Sequence, residues 1–264
     1  MGKEALDAAF ARGRAEDRAL LMPYLVTGYP DGDAFVACAG AAAAAGADAL
    51  EIGIPFSDPI MDGPVIAAAS GSVLERGQRT EEALDLFAGA SQAAGVPLIA
   101  MTYYNVVFRY GLERFAKTVA ERGGAGVILP DLSVEDAGPW RAACEDAGIA
   151  AVFMASQTSP PERLSMIGSA ASGFVYAAAL LGVTGVRETL GAQAGPLVER
   201  IRAATDLPVA VGIGVSTAEH AAQVAAFADG VIVGSALVKA IGEAVDPSVA
   251  TAELVSRLKP ACAR

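Results

Sequence analysis

The sequence predicts a (β/α)8 barrel, the TIM-barrel architecture, with one extra N-terminal helix, and three observations support this prediction. Eight short apolar segments alternate with helical patterns at intervals of roughly 25 to 30 residues. Several segments are almost continuously apolar, which is typical of parallel strands covered on both faces. No linker or change in composition divides the 264 residues, so we take residues 1–264 as a single barrel domain.

The extra helix is predicted over residues 3–17, because Leu6, Ala9 and Phe10 share one helical face. Strands are predicted over residues 20–26, 49–53, 96–102, 126–129, 149–154, 174–178, 208–212 and 229–233. Helices fill the intervals, among them residues 33–46, 65–76, 112–121, 196–204 and a last helix over 247–259. A doubly wound open sheet is the alternative, since sequence alone does not prove that a sheet closes.

Capping chemistry predicts where several helices begin. Residues 133–136 form a capping box for the helix that follows the fourth strand. Residues 159–162 combine an N-cap serine with proline at the first helical position, and residues 216–219 cap the helix after the seventh strand. Residues 103–105 are predicted as a loop.

Composition excludes several classes of function. A net charge of −11 and a pI near 4.6 argue against nucleic acid or an anionic membrane as partner, because the field repels phosphate backbones. Residues 164–186 carry no charge, but glycines and serines interrupt them, so we interpret them as a helix end, a strand and a loop. Cys38, Cys144 and Cys262 follow no disulfide or zinc pattern, and a reducing cytoplasm is expected.

Two carboxylates mark the candidate catalytic loop. Glu51 lies in the second strand, and Asp62 follows it in a segment stiffened by Pro55, Pro59 and Pro64. A pair placed in this way can converge on one substrate as an acid and a base. The alternative is a salt-bridged Glu51 and an Asp62 that only begins an Asp-Gly turn.

A phosphate site is expected where the seventh and eighth strands end. Gly214 follows the seventh strand, and Gly234 with Ser235 begins a helix after the eighth, where free amides can bind an anion. Plain turn glycines would give the same pattern. The one histidine, His220, is expected on a solvated helix face, which excludes a Ser-His-Asp hydrolase and a histidine metal site. No metal site is predicted.

One long segment carries a family resemblance. Residues 50–64 read LEIGIPFSDPIMDGP, and they closely resemble the signature of the tryptophan synthase α-subunit family. Further motifs of that family follow in the same order over nearly the whole chain, at residues 22–30, 103–105, 129–132, 182–185 and 230–235.

The resemblance implies a retro-aldol cleavage of indole-3-glycerol phosphate to indole and glyceraldehyde 3-phosphate, without a cofactor on this subunit. It makes Glu51 the general acid-base and Asp62 the acceptor of the indole N–H. It implies substrate-binding roles for Tyr24, Met101, Tyr103, Ile128, Met154, Tyr176, Thr184 and Ile213. It implies a phosphate site made of Gly185, Gly214, Gly234 and Ser235.

A partner is also implied by the resemblance. In the family, a β subunit carrying pyridoxal phosphate receives indole through a tunnel, in an α2β2 heterotetramer. Alternatives are a free-standing lyase that releases indole, a non-catalytic activator of a β subunit, and another phosphate-binding barrel enzyme such as a sugar-phosphate isomerase.

Four places depart from the common family pattern. Met61 stands where alanine is usual, Ser133 where proline is frequent, residues 155–157 replace a proline-containing run, and residues 180–181 are Leu-Leu where many members carry Arg-Ser. None removes the proposed chemistry.

Overall fold

Eight parallel strands close into a barrel in chain order in the computed structural model, and the last strand pairs with the first. The closed barrel excludes the open sheet. The structure describes residues 2–178, 190–212 and 214–264, with only the backbone of residues 190–193. The strands are β1 Leu20–Val26, β2 Leu50–Gly53, β3 Leu98–Met101, β4 Gly124–Ile128, β5 Ala150–Ser156, β6 Val175–Ala178, β7 Val209–Gly212 and β8 Gly230–Val233.

Helices surround the barrel. Those in the described residues are α1 Lys3–Ala15, α2 Gly32–Ala44, α3 Pro64–Glu75, α4 Thr80–Ala94, α5 Tyr104–Tyr110, α6 Leu112–Glu121, α7 Gly138–Asp146, α8 Pro161–Ala170, α9 Leu190–Arg202, α10 Ala218–Ala225, α11 Ser235–Glu243 and α12 Pro247–Leu258. In this part of the chain, none of the helices has both the length and the apolar character needed to cross a membrane.

The strands are buried on both faces, which explains their apolar composition. One set of side chains, including Met22, Ile99 and Phe174, fills the inside of the barrel. The alternate set, including Leu21 and Leu50, packs outward against the helices in a larger cluster. The period of two along each strand therefore separates an inner from an outer apolar layer.

Helix α1 packs against the inner layer of the barrel. Leu6, Ala9 and Phe10 belong to the same cluster as the inward strand residues, and all three are buried. The Phe10 ring lies 5.5 Å from the Phe174 ring, and Leu6 contacts the backbone at Gly173 so closely that a Cβ there would lie 3.0 Å from it. The predicted amphipathic face of the extra helix is confirmed.

Two buried aspartates connect the strand starts to the C-terminal segment. Asp48 precedes β2 and accepts the Leu21 amide at 2.8 Å, while Lys259 contacts the same carboxylate at 2.6 Å. Asp229 precedes β8, accepts the Val209 amide at 3.0 Å and pairs with Arg202 at 3.1 Å and with Arg264 at 3.8 Å. Each aspartate thus pairs a neighbouring strand's free amide and a cation at once, which satisfies buried polar groups at this end of the barrel.

Four local predictions were wrong. Tyr104 and Asn105, predicted as part of a loop, begin helix α5, Tyr104–Tyr110. Residues 133–136 form a turn, and α7 begins only at Gly138 with Pro139 in its first turn. Ser159 does not cap α8, because its hydroxyl accepts the Ser156 amide instead. Helix α9 begins at Leu190, before the predicted start at 196.

The packing of α1 gives a stability prediction. Replacing Phe10 by alanine removes a buried ring and leaves a cavity against Phe174, so the free energy of unfolding should fall by about 3 to 5 kcal/mol. Phe108→Ala is the control, because that ring is 63% exposed and its loss should cost less than about 0.5 kcal/mol. Urea unfolding measures both. Equal losses would contradict the role of α1.

Candidate active site

Glu51 is a buried carboxyl group inside the barrel mouth. It lies in β2, opposite Tyr24 of β1 and Ile99 of β3, and is 1% exposed. No described residue donates a hydrogen bond to its Oε2 atom. Burial, and secondarily the charge of Asp62, raises the pKa of Glu51 to about 8. Glu51 is therefore protonated at neutral pH, and it is poised to give up that proton.

Asp62 is held by a tyrosine from the neighbouring strand-end loop. The Tyr103 hydroxyl donates to Asp62 Oδ1 at 3.2 Å and accepts the backbone N–H of Met61 at 3.0 Å. The Tyr103 ring stacks on Phe56 with 5.1 Å between centroids. Burial raises the pKa of Asp62, and the Tyr103 hydrogen bond opposes that rise. Asp62 thus has a hydrogen-bond donor, whereas Glu51 Oε2 has none among the described residues.

Both acids face one cavity of about 210 Å³ at the mouth of the barrel. The structure brings together there most of the residues that the sequence singled out, because the carboxyl ends of all strands meet on this rim. Predicted residues in its lining are Glu51, Asp62, Tyr24, Met101, Tyr176, Gly214, Gly234 and Ser235.

Two tyrosine–glycine pairs shape the cavity. A Cβ on Gly53 would lie 2.0 Å from the Tyr24 hydroxyl, and one on Gly212 would lie 1.9 Å from the Tyr176 hydroxyl. Each tyrosine ring therefore occupies the space that a side chain on the next strand would fill. Burial raises the pKa of both tyrosines, as do the two acids, so both hydroxyls remain neutral.

The opposite side of the cavity is suited to an anion. Gly234 lies between β8 and α11, and Ser235 is the first residue of that nine-residue helix. Gly214 follows β7 with a positive φ of 41°, a conformation that favours glycine. The free amides at the start of α11 and its dipole favour negative charge here.

Other predicted residues lie elsewhere. Tyr103 contacts Asp62 from behind rather than lining the cavity. Ile128 pairs with Met101 in the barrel register but is packed in the interior, outside the cavity lining. Met154 lines a neighbouring cavity of about 400 Å³. Thr184, Gly185 and Ile213 lie outside the described residues.

Some lining residues were not predicted. Ile232 is an inward position of β8, and its alternation with outward Val231 and Val233 was a usable signal. Val215 follows Gly214, and Ile66 reaches the cavity from α3. No sequence pattern indicates that α3 turns Ile66 toward the mouth, because that depends on how the helix packs.

Larger cavities lie elsewhere and lack this chemistry. One of about 520 Å³ lies between α1, α7 and α8, and one of about 440 Å³ lies beside residues 54–57 and α5. Neither contains a buried carboxyl pair. His220 lies in the first turn of α10, as predicted, and its Nδ1 is 3.3 Å from the Ser216 hydroxyl. Among the described residues, no group of three or more His, Cys, Asp and Glu side chains could hold a metal ion.

A family model described as tryptophan synthase alpha chain matches residues 10–261. The chain belongs to the tryptophan synthase alpha chain family. The alpha chain of Streptomyces avermitilis is 49% identical over 243 residues, 92% of this chain and 88% of that protein. The alpha chain of Mycobacterium tuberculosis is 46% identical over 238 residues, covering 90% of this chain and 88% of that one.

Solved structures of tryptophan synthase share the fold. The M. tuberculosis enzyme in an aminoacrylate- and BRD0059-bound form superposes with a TM-score of 0.90 at 41% identity, over 98% of both chains. Tryptophan synthase subunit alpha from Legionella pneumophila gives a TM-score of 0.89 at 33% identity, again over 98% of both chains. Membership of the tryptophan synthase alpha chain family makes this protein a lyase of tryptophan biosynthesis.

Burial of Glu51 makes stability depend on pH. The folded state holds this proton up to about pH 8, whereas the unfolded chain releases it near 4.5, so Glu51 lowers the free energy of unfolding as pH rises through that window. Glu51→Gln should remove this pH-dependent loss of stability. The difference in the free energy of unfolding between Glu51→Gln and wild type should grow by roughly 1.4 kcal/mol per pH unit. Urea unfolding from pH 5 to 8 measures it.

The exposed Glu121→Gln variant is the control, and its stability should run parallel to wild type over the same pH range. If the free energy of unfolding of Glu51→Gln ran parallel to that of wild type over this pH range, the conclusion that Glu51 is protonated in the folded state would be wrong.

A second prediction concerns Asp62. Tyr103→Phe removes the hydroxyl that donates to its carboxylate, so the pKa of Asp62 should rise. Carboxyl ¹³C shifts of labelled aspartate followed against pH measure this pKa. Tyr110→Phe is the matched control, because that hydroxyl donates to the exposed Glu81 and should leave Asp62 unchanged. An unaltered Asp62 pKa in Tyr103→Phe would count against the proposed hydrogen bond.

Proposed function

We propose that the chain cleaves indole-3-glycerol phosphate to indole and glyceraldehyde 3-phosphate by a retro-aldol reaction. The observation that supports this most directly is the pair of carboxyl groups on one cavity, Glu51 protonated and Asp62 hydrogen-bonded. A retro-aldol cleavage of this substrate needs a proton donor at the ring carbon, a base for the glycerol hydroxyl and an anion beside the ring nitrogen.

Glu51 supplies the first two functions in succession. Its proton is transferred to C3 of the indole ring, which places positive charge on the ring and weakens the bond between C3 and the glycerol carbon. The resulting carboxylate then takes the proton of the glycerol hydroxyl while that bond breaks and the aldehyde forms. One proton enters the ring and one returns to Glu51, so its pKa of about 8 suits both steps near neutral pH.

Asp62 stabilises the positive charge on the ring. Its carboxylate accepts the indole N–H, and this interaction strengthens as the ring becomes cationic. Tyr103 supports this role, because its hydroxyl holds the carboxylate and favours the charged form. The two acids therefore have separate roles because their surroundings differ, with no donor to Glu51 Oε2 among the described residues and a tyrosine donor on Asp62.

The apolar walls and the far side of the cavity suit the rest of the substrate. Tyr24, Met101 and Tyr176 lie beside the acids and can enclose a flat bicyclic ring. The phosphate is bound by amides at Gly214, Gly234 and Ser235, which gives an acidic protein a local anion site. By resemblance to the family, Gly185 adds to this site, Ile213 to the indole pocket and Thr184 to closure over Asp62, while Ile128 and Met154 lie outside the lining of this cavity.

A tryptophan synthase β subunit is the proposed partner, in a cytoplasmic α2β2 assembly. Pyridoxal phosphate belongs to that subunit, and the acid-base steps above use only side chains of this chain. Two exposed apolar side chains support the pairing: Ile60 is 74% exposed in the catalytic loop, and Phe108 is 63% exposed on α5. Both segments border the cavity of about 440 Å³.

Glu51→Gln tests the proposed chemistry. The amide keeps the shape of the side chain but cannot give or take the proton, so kcat for indole release should fall by about 10²- to 10⁴-fold or more while substrate binding is retained. Indole release measured with and without a β subunit gives kcat, and calorimetry gives binding. The control is Glu121→Gln, which changes an exposed carboxylate on α6.

Three outcomes decide among the hypotheses. Full activity of Glu51→Gln would refute the acid-base role. Indole release unaffected by a β subunit would favour the free-standing lyase. No release by the wild type in either case, with activation of the β subunit, would favour the non-catalytic activator.

A further inference from the structure

The catalytic cavity has a larger neighbour, and one of the described residues lines both cavities. The cavity that contains Glu51 and Asp62 measures about 210 Å³, and the one beside it, between the loops after β4 and β5, measures about 400 Å³. Met61 is the one residue, in the part of the chain that the structure describes, that lines both. Met61 therefore lies where the two spaces adjoin, and we call this residue the partition.

The second cavity is apolar near the barrel and polar toward its outer end. Phe153, Met154 and Ala178 belong to its apolar part, while Asp131 and Arg163 belong to its polar part. Arg163 pairs with Glu135 at 3.1 Å and Asp131 accepts the Tyr104 amide at 2.8 Å, so both charged groups already have partners within the protein. The space next to Met61 is thus suited to an apolar group rather than to an ion.

Met61 is bound to the site by its backbone and not by its side chain. The Met61 N–H donates to the Tyr103 hydroxyl, which in turn donates to Asp62. The thioether has no part in that network, so a change of side chain alone leaves the hydrogen bonds to Asp62 available. Methionine is also unbranched and adaptable, which lets it fill an irregular gap between two spaces.

We propose that Met61 is a specificity-determining residue that limits the size of the substituents that the six-membered ring of the indole can carry. This inference rests on the proposed function, in which Asp62 accepts the indole N–H and so places the ring beside its neighbour Met61. With Met61 in place, the ring ends at the partition. A shorter side chain joins the two cavities and admits indoles with a methyl or chloro substituent on the six-membered ring.

The test uses Met61→Ala, with Met61→Val as a second shortened variant. The aldol direction is convenient, with glyceraldehyde 3-phosphate and either indole or its 4-, 5-, 6- and 7-substituted methyl and chloro derivatives. The readout is kcat/KM for each derivative divided by kcat/KM for indole. This ratio should rise by about tenfold or more for at least one ring position, the effect of one methylene-sized group in an apolar pocket.

Two controls distinguish the loss of volume at the partition from an unspecific effect of any substitution at position 61. Met61→Leu keeps a side chain of similar volume, and its ratio should stay close to that of wild type. Ala178→Leu added to Met61→Ala fills the second cavity beyond the partition and should reverse the gain. Unchanged ratios in both shortened variants, or a gain that Ala178→Leu does not reduce, would overturn the proposal.

Calorimetric binding of the same indoles tests the partition without turnover. Tighter binding of substituted indoles to Met61→Ala than to wild type, relative to indole itself, supports the inference, and equal relative affinities refute it. Failure of the wild type to cleave indole-3-glycerol phosphate would refute the proposed function. The two failures are therefore distinguishable.

Discussion

Two carboxyl groups share one small cavity, and their burial governs the chemistry of this site. Burial raises the pKa of both Glu51 and Asp62, and the charge of Asp62 raises the pKa of Glu51 further, so the proton stays on Glu51. Tyr103 opposes the rise in the pKa of Asp62 by donating to its carboxylate. The different surroundings of two similar acids thus separate their roles.

The barrel separates the elements that supply stability from those that supply chemistry. At the strand starts, α1 packs against the inner layer of the barrel, and Asp48 and Asp229 each join a strand amide to a cation, Lys259 for Asp48 and Arg202 for Asp229. At the strand ends, Glu51 is fixed by a strand paired on both sides, while Asp62 lies in a loop. The buried carboxyl of Glu51 therefore lies on a rigid strand. The stability that its burial costs is offset by the packing and ion pairs at the strand starts, at the opposite end of the barrel.

Local sequence patterns predicted the strands and helices better than the segments that connect them. The first strand and helix 112–121 agree with the predicted bounds, because compact apolar runs and amphipathic periods are local signals. Helix α5 was missed because its β-branched and aromatic residues resemble a strand or loop more than a helix. The hydrogen bond from Tyr103 to Asp62 joins residues 41 positions apart, and no local pattern could reveal it.

The two tyrosine–glycine pairs restrict how this mouth can change over time. Because the Tyr24 hydroxyl lies against Gly53 and the Tyr176 hydroxyl against Gly212, neither glycine can gain a side chain while its tyrosine remains. The tyrosine can be replaced first, since a smaller residue at position 24 or 176 creates room without a clash. Among related sequences, loss of either glycine should therefore appear only where the paired ring has already been lost, and the pairs should covary.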